Sequence, residues 1–135
     1  MNAKAYLQQI QRISAELQII EWEIKQMYNP IKAVSYGNVP GTADADATLH
    51  LVERISAKKE SYEQRANELI EKREEILEVI HQIKDSKSAT VIYARYCRLM
   101  PFRQIAREMN YTVGRIMQIH RQGLNEVEQI IQHYT

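Results

Sequence analysis

The sequence predicts an all-α protein: a long N-terminal helical hairpin, or coiled coil, over residues 1–85 and a helix-turn-helix domain over residues 86–135. Three observations lead there. All three Pro and two of the four Gly (Pro30, Gly37, Pro40, Gly41 and Pro101) fall at two places, so residues 1–28 and 42–100 run without a backbone breaker. Both runs repeat apolar residues at heptad spacing. The last third of the chain changes its charge character and holds small, apolar and capping residues in the order that a tight turn between two helices needs.

In the first helix Tyr6, Ile10, Ile13, Leu17, Ile20, Ile24 and Met27 follow one another at alternating steps of four and three. Asn29-Pro30 should end it near Tyr28, because a proline pushes the preceding residue out of the α region. Residues 29–43 then read as a connecting loop, and Thr42 or Asp44 as the cap of the second helix. That helix should reach about Lys84. Ile55, Tyr62, Leu69, Ile76 and Ile83 repeat every seven residues, with Val52, Lys59, Ala66, Arg73 and Ile80 as the alternate positions. Two basic residues among those five weaken the seam. The second helix also reads as the longer, at about 60 Å against about 40 Å, which would leave part of it unpaired. Together with Ile19 and Trp22, off the main stripe, this suggests self-association, with a dimer favoured.

Residues 1–87 hold 12 Lys and Arg against 14 Asp and Glu, whereas residues 88–135 hold 6 Arg against 3 Glu and no Lys. Arginine's planar fork suits bidentate contacts to phosphate or guanine. After the turn and capping cluster Asp85-Ser86-Lys87-Ser88, Pro101 separates two short helices and a third begins after Asn110-Tyr111-Thr112. Ala106 is the small residue where two helices cross, Asn110 supplies a left-handed backbone in place of Gly, and Thr112 caps the last helix. An apolar set of Ile92, Tyr96, Leu99, Phe102, Ile105, Met109, Ile116, Ile119, Leu124 and Val127 should form the core. The outward stripe is then Gly114, Met117, Gln118 and Arg121, at spacing i, i+3, i+4, i+7.

That stripe suits the major groove. Gln118 can pair with both edge groups of adenine, Met117 can lie against a thymine methyl, and Gly114 lets the helix approach the groove wall. Thr112 at the helix N-terminus and Arg103 on the preceding helix are placed to hold phosphates.

Arg95-Tyr96, Ile105-Ala106-x-Glu108-Met109, Thr112, Arg115-Ile116-x-Gln118-Ile119 and Leu124 resemble, in order and spacing, region 4 of bacterial sigma-70 factors, the helix-turn-helix that reads the −35 promoter element. The resemblance covers residues 88–127. The chain as a whole is similar to the ArpU-like type of phage and prophage transcriptional regulators. The resemblance implies double-stranded DNA as a partner, host RNA polymerase as a second, and a DNA-facing surface of Arg103, Thr112, Val113, Gly114, Arg115, Met117, Gln118 and Arg121. Sigma-70 region 4 carries charged residues where this chain has Val113, Gly114 and Met117, and of that face Gln118 alone is retained. What is implied is therefore the fold and the docking mode, not the base sequence read. A segment like the one that melts promoter DNA has no counterpart here, so the resemblance does not extend to a complete sigma factor.

The sequence thus reads as a sequence-specific DNA-binding transcription regulator. The alternatives are a phage small-terminase-like DNA recognition subunit and a coiled-coil adaptor without DNA binding. No enzyme is expected, since neither a phosphate-binding glycine loop nor a nucleophile motif occurs. His50, His81, His120, His133 and Cys97 lack metal-ligand spacing, so no metal and no cofactor are expected. The lone Cys97, an N-terminus MNAKAYLQQI without an apolar run, and charges that interrupt every apolar stripe point to the cytoplasm and away from the membrane.

Overall fold

The computed structural model describes residues 2–35 and 45–133, with side chains described for residues 2–27 and 46–133. Helix α1 spans Ala3–Ser35 and α2 spans Ala45–His81; α3 (Ser86–Tyr96), α4 (Phe102–Met109) and α5 (Val113–His133) follow. No strand occurs among the described residues.

The first helix does not end at Tyr28. It continues through Pro30 to Ser35. A proline inside a helix removes one backbone hydrogen bond and crowds the preceding turn, which disfavours a helix without forbidding it. Of the expected loop, residues 29–35 are therefore helical, while residues 36–44, with the candidate caps Thr42 and Asp44, lie outside the described residues. The second helix ends at His81 rather than Lys84. Its last turn tightens, Ile83 N–H donating to the Ile80 carbonyl, and Ile83 still keeps its place on the buried stripe. At 33 and 37 residues the two long helices are nearly equal. The unpaired length expected of the second helix disappears, and with it one argument for self-association.

The chain divides into two compact units, residues 15–70 and residues 1–14 with 71–135. In the first, α1 and α2 lie side by side, with Arg65 Nε 3.0 Å from Glu16 Oε1. From this pair the arms to the connection have nearly equal length, so the helices form an antiparallel hairpin. Ile20 and Leu69 are buried, while Leu17, Ile24, Ile55, Tyr62 and Ala66 are half-buried.

The other unit takes in more than the residues 86–135 expected from the sequence. Leu7 and Ile10 at the start of α1, and Ile76, Val79, Ile80 and Ile83 at the end of α2, are buried in it. Ala3 N–H donates to Glu128 Oε2 on α5 at 2.8 Å, and Tyr6, Val79 and Ile131 share the lining of a cleft of about 470 Å³. A three-helix module of this size encloses few side chains of its own, and apolar surface left on α5 recruits these helix ends.

Inside the module Val91, Ala94, Met100, Ile105, Ala106, Ile116 and Ile119 form one core, flanked by Phe102, Met109 and Tyr111. Leu99 does not belong to it. With φ 55° it lies past the end of α3 in a left-handed conformation and is 52% exposed, while Met100 turns inward and its N–H donates to the Ala94 carbonyl. Helices α3 and α5 cross at Gly123, where an added Cβ would stand 2.7 Å from Ile92 Cγ1 and 3.4 Å from the Ser88 carbonyl oxygen. That approach requires glycine.

Candidate nucleic-acid interface

Two backbone devices set the angle of the exposed helix. Asn110 closes α4 in the left-handed region, φ 59° and ψ 41°, as the sequence requires of a turn without glycine. Tyr111 N–H then reaches back to the Ala106 carbonyl at 3.0 Å, which ends the helix and redirects the chain. Thr112 starts α5: its Oγ1 accepts the Arg115 N–H at 3.1 Å, and its carbonyl accepts the Ile116 N–H. The hydroxyl keeps its own proton for an outside acceptor. The N–H groups of Val113 and Gly114, in the first turn of α5, have no acceptor within the helix. Together with the helix dipole they make this end suited to a phosphate.

The interior face of α5 holds the angle. Ile116, Ile119 and Val127 are buried and Leu124 is half-buried, as the sequence assigns them, and Gly123 is buried among them. His120, between them, meets α3 and α4 together. Its Nε2 lies 2.9 Å from the Tyr96 hydroxyl, its ring stacks with Tyr96, and the edge of Phe102 stands against it at 5.0 Å between centroids. Burial, then the positive charges of Arg95 and Lys4, hold the imidazole below its ordinary pKa, so it packs as the neutral ring.

Every residue the sequence assigned to a DNA-facing surface is exposed: Arg103 on α4, Thr112 at the cap, and Val113, Gly114, Arg115, Met117, Gln118 and Arg121 on α5. Val113 and Met117 are 41% and 46% exposed, a large apolar exposure for a helix whose other side is a packed core. Arg115 Nη1 donates to Gln118 Oε1 at 3.4 Å. This contact engages the oxygen that would accept from adenine, so bidentate pairing must first break it. An exposed bond of that length is weak and yields at little cost.

The arginines divide by role, which the composition did not show. Arg95 is structural, its guanidinium 4.2 Å over the Phe102 ring while Nη1 donates to the Met100 carbonyl. Arg98 is neutralised by Glu108 at 3.7 Å. Arg103, Arg107, Arg115 and Arg121 remain exposed on α4 and α5. Glu126 and Glu128 are half-buried in the later turns of α5, and Glu128 is taken by Ala3. One cation escaped the sequence reading: Lys87, from the first turn of α3, lies 5.6 Å over the Tyr111 ring beside the turn. Only the fold brings those two residues together.

Among the described residues no group of three or more His, Cys, Asp or Glu that could hold a metal ion is found, and no helix is long and apolar enough to cross a membrane. Burial pushes the Cys97 thiol up, the reverse of an activated nucleophile.

Residues 85–129, a third of the chain, match the family described as Sigma-70, region 4. The match begins at the N-cap of α3 and ends inside α5, so it coincides with the helix-turn-helix and its supporting helix. Searches of curated proteins and of solved structures find no match. The C-terminal module is thus a sigma region 4-like helix-turn-helix, a DNA-binding fold, carried behind a long N-terminal helix.

Proposed function

We propose that the protein is a sequence-specific DNA-binding transcription regulator of the phage or prophage type, working in the cytoplasm as a homo-oligomer, with a dimer favoured. In this reading α5 lies in the major groove and α4 crosses the backbone. The observation that carries it is the coincidence of two independent facts. The region-4-like stretch ends in a helix whose outward face exposes Gly114, Met117, Gln118 and Arg121, and Arg103 and Arg107 on α4 and Arg115 on α5 are exposed as well. Gln118 and Met117 read base edges; Arg103, Thr112 and the first N–H groups of α5 hold phosphates and set the register. Val113, Arg115 and Arg121 complete the surface. Host RNA polymerase is the second partner this reading carries.

Selection of bound fragments from random DNA, followed by titration of the selected site, tests it. Gln118→Ala should cost about 1 to 3 kcal/mol and relax preference at one base pair. Arg103→Ala should weaken all sequences alike and lower the salt dependence by about one phosphate contact. A Gln118→Ala protein that keeps both its site and its affinity would place base reading elsewhere. Unchanged mobility of DNA at low salt would favour an adaptor that binds protein alone.

A further inference from the structure

In the unit of residues 15–70 the exposed surface is unevenly divided. Along α2 the exposed positions Glu53, Arg54, Lys58, Glu60, Glu63 and Arg65 bring charge to every turn, and its two exposed large hydrophobic residues, Leu49 and Ile70, stand singly near opposite ends of the segment. On α1, Ala15, Gln18, Ile19 and Trp22 stand exposed at spacing i, i+3, i+4, i+7, one face of the helix, and none is charged. Ile19 is 62% exposed and Trp22 59%. Beside them Glu21 and Lys25 neutralise each other at 3.4 Å.

We propose that this stripe is the interface for a second copy of the chain, each α1 laying Ile19 and Trp22 against the same face of its partner. The inference deepens the self-association included in the proposed function by naming the surface. Three observations select a second copy as the occupant. The first is burial: across residues 15–70 the described hydrophobic side chains that are buried are Ile20 and Leu69 alone. Two helices can cover each other on one side only, and a pair whose described side chains are so little buried gains most from another helical layer. The second is charge. An uncharged stripe offers nothing to steer an acidic or basic partner, but it can meet its own copy without like charges opposed, as a two-fold contact requires. The third is chemistry: a half-exposed tryptophan with an isoleucine one turn behind it supplies the large, stiff anchor on which interface energy concentrates.

The sole tryptophan of the chain is Trp22, so its fluorescence reports on this stripe and nothing else. The full-length protein is diluted from high micromolar concentration while its mass is followed by sedimentation and its emission by fluorescence. The expected result is a dimer whose dissociation shifts the emission to the red in step with the fall in mass. Trp22→Glu and, separately, Ile19→Glu should each raise the dimer dissociation constant about thirtyfold or more, with helical circular dichroism retained. Ile70→Glu, at a 42% exposed apolar position on α2, should leave it unchanged. A wild-type protein that is monomeric throughout overturns the proposal, as does a dimer that survives both α1 substitutions or one that forms without moving the Trp22 emission. DNA retardation at low salt is a separate measurement. A monomer that still retards DNA defeats the interface alone, and a dimer that does not bind DNA defeats only the function.

Discussion

Residues 15–70 and the helix-turn-helix module use the same kind of apolar spacing and reach different interiors. In the hairpin the stripe residues Leu17, Ile24, Ile55 and Tyr62 stay half in water. In the module Val91, Ile92, Ile105, Ile116, Ile119 and Val127 are almost wholly removed from it. The difference is geometric. Two parallel or antiparallel helices cover one line on each other, whereas α3, α4 and α5, each packed on the other two and joined by the ends of α1 and α2, enclose a volume. Periodicity therefore tells which face of a helix turns inward but not how dry that face becomes.

The largest effect that would break this contrast concerns the module by itself. Residues 86–135 carry its core, yet the unit they belong to includes residues 1–14 and 71–85, and Glu128 is bonded to Ala3. A fragment of residues 86–135 should fold with a much lower urea midpoint than the whole chain, because the buried Leu7, Ile10, Ile80 and Ile83 are gone. An unchanged midpoint in a denaturation series would show that the module needs none of them.

Next in size is a matched pair of truncations. Ile116→Ala, at a fully buried site, should cost about 2 to 5 kcal/mol in urea denaturation, and Ile24→Ala, at a half-buried one, about 1 kcal/mol. Equal losses would mean that the hairpin stripe is as dry as the core of the module, as it would be inside a larger assembly.

A smaller contrast lies within α5. Gly123→Ala gains helix propensity but drives a methyl into Ile92, itself fully buried and unable to yield, so a net loss of about 1 kcal/mol or more is expected. At Gly114 an added Cβ meets nothing nearer than Thr112 Oγ1 at 4.0 Å. Gly114→Ala should therefore stabilise the fold by about 0.5 to 1 kcal/mol while weakening DNA binding, if that face enters the groove. Thermal melts and a binding titration on the two variants separate packing from recognition.

The smallest effect is a pH dependence. His120 has its folded-state pKa below the ordinary value, so the unfolded chain takes up a proton first as pH falls. Stability owed to the neutral ring is complete above about pH 6.5 and is lost as the pH drops through the lowered folded value. His120→Gln should flatten the stability profile in that interval. The carboxyl of Asp85, held below its usual range chiefly by the Ser88 hydroxyl, acts only at more acid pH and leaves that interval to the histidine.

By itself the sequence determined the helices of the module, the left-handed Asn110, the Thr112 cap and the outward face of α5. Each of these is a local matter: a proline or asparagine sets its own backbone, a threonine reaches a donor three residues away, and helical spacing sorts one face from the other. What lay beyond it were competitions between distant groups. Pro30 disfavours a helix locally, yet it lies inside α1, which runs on to Ser35. Leu99 and Met100 are neighbours of similar hydrophobicity, and only the turn behind α3 decides which of them enters the core. The division of the arginines into structural, neutralised and exposed ones was likewise settled by tertiary placement, since Phe102 and Glu108 meet Arg95 and Arg98 only after α4 has folded back on α3. The ends of α1 and α2 joined the module for the same reason: burial is a property of the assembled surface, and no stretch of sequence carries it alone.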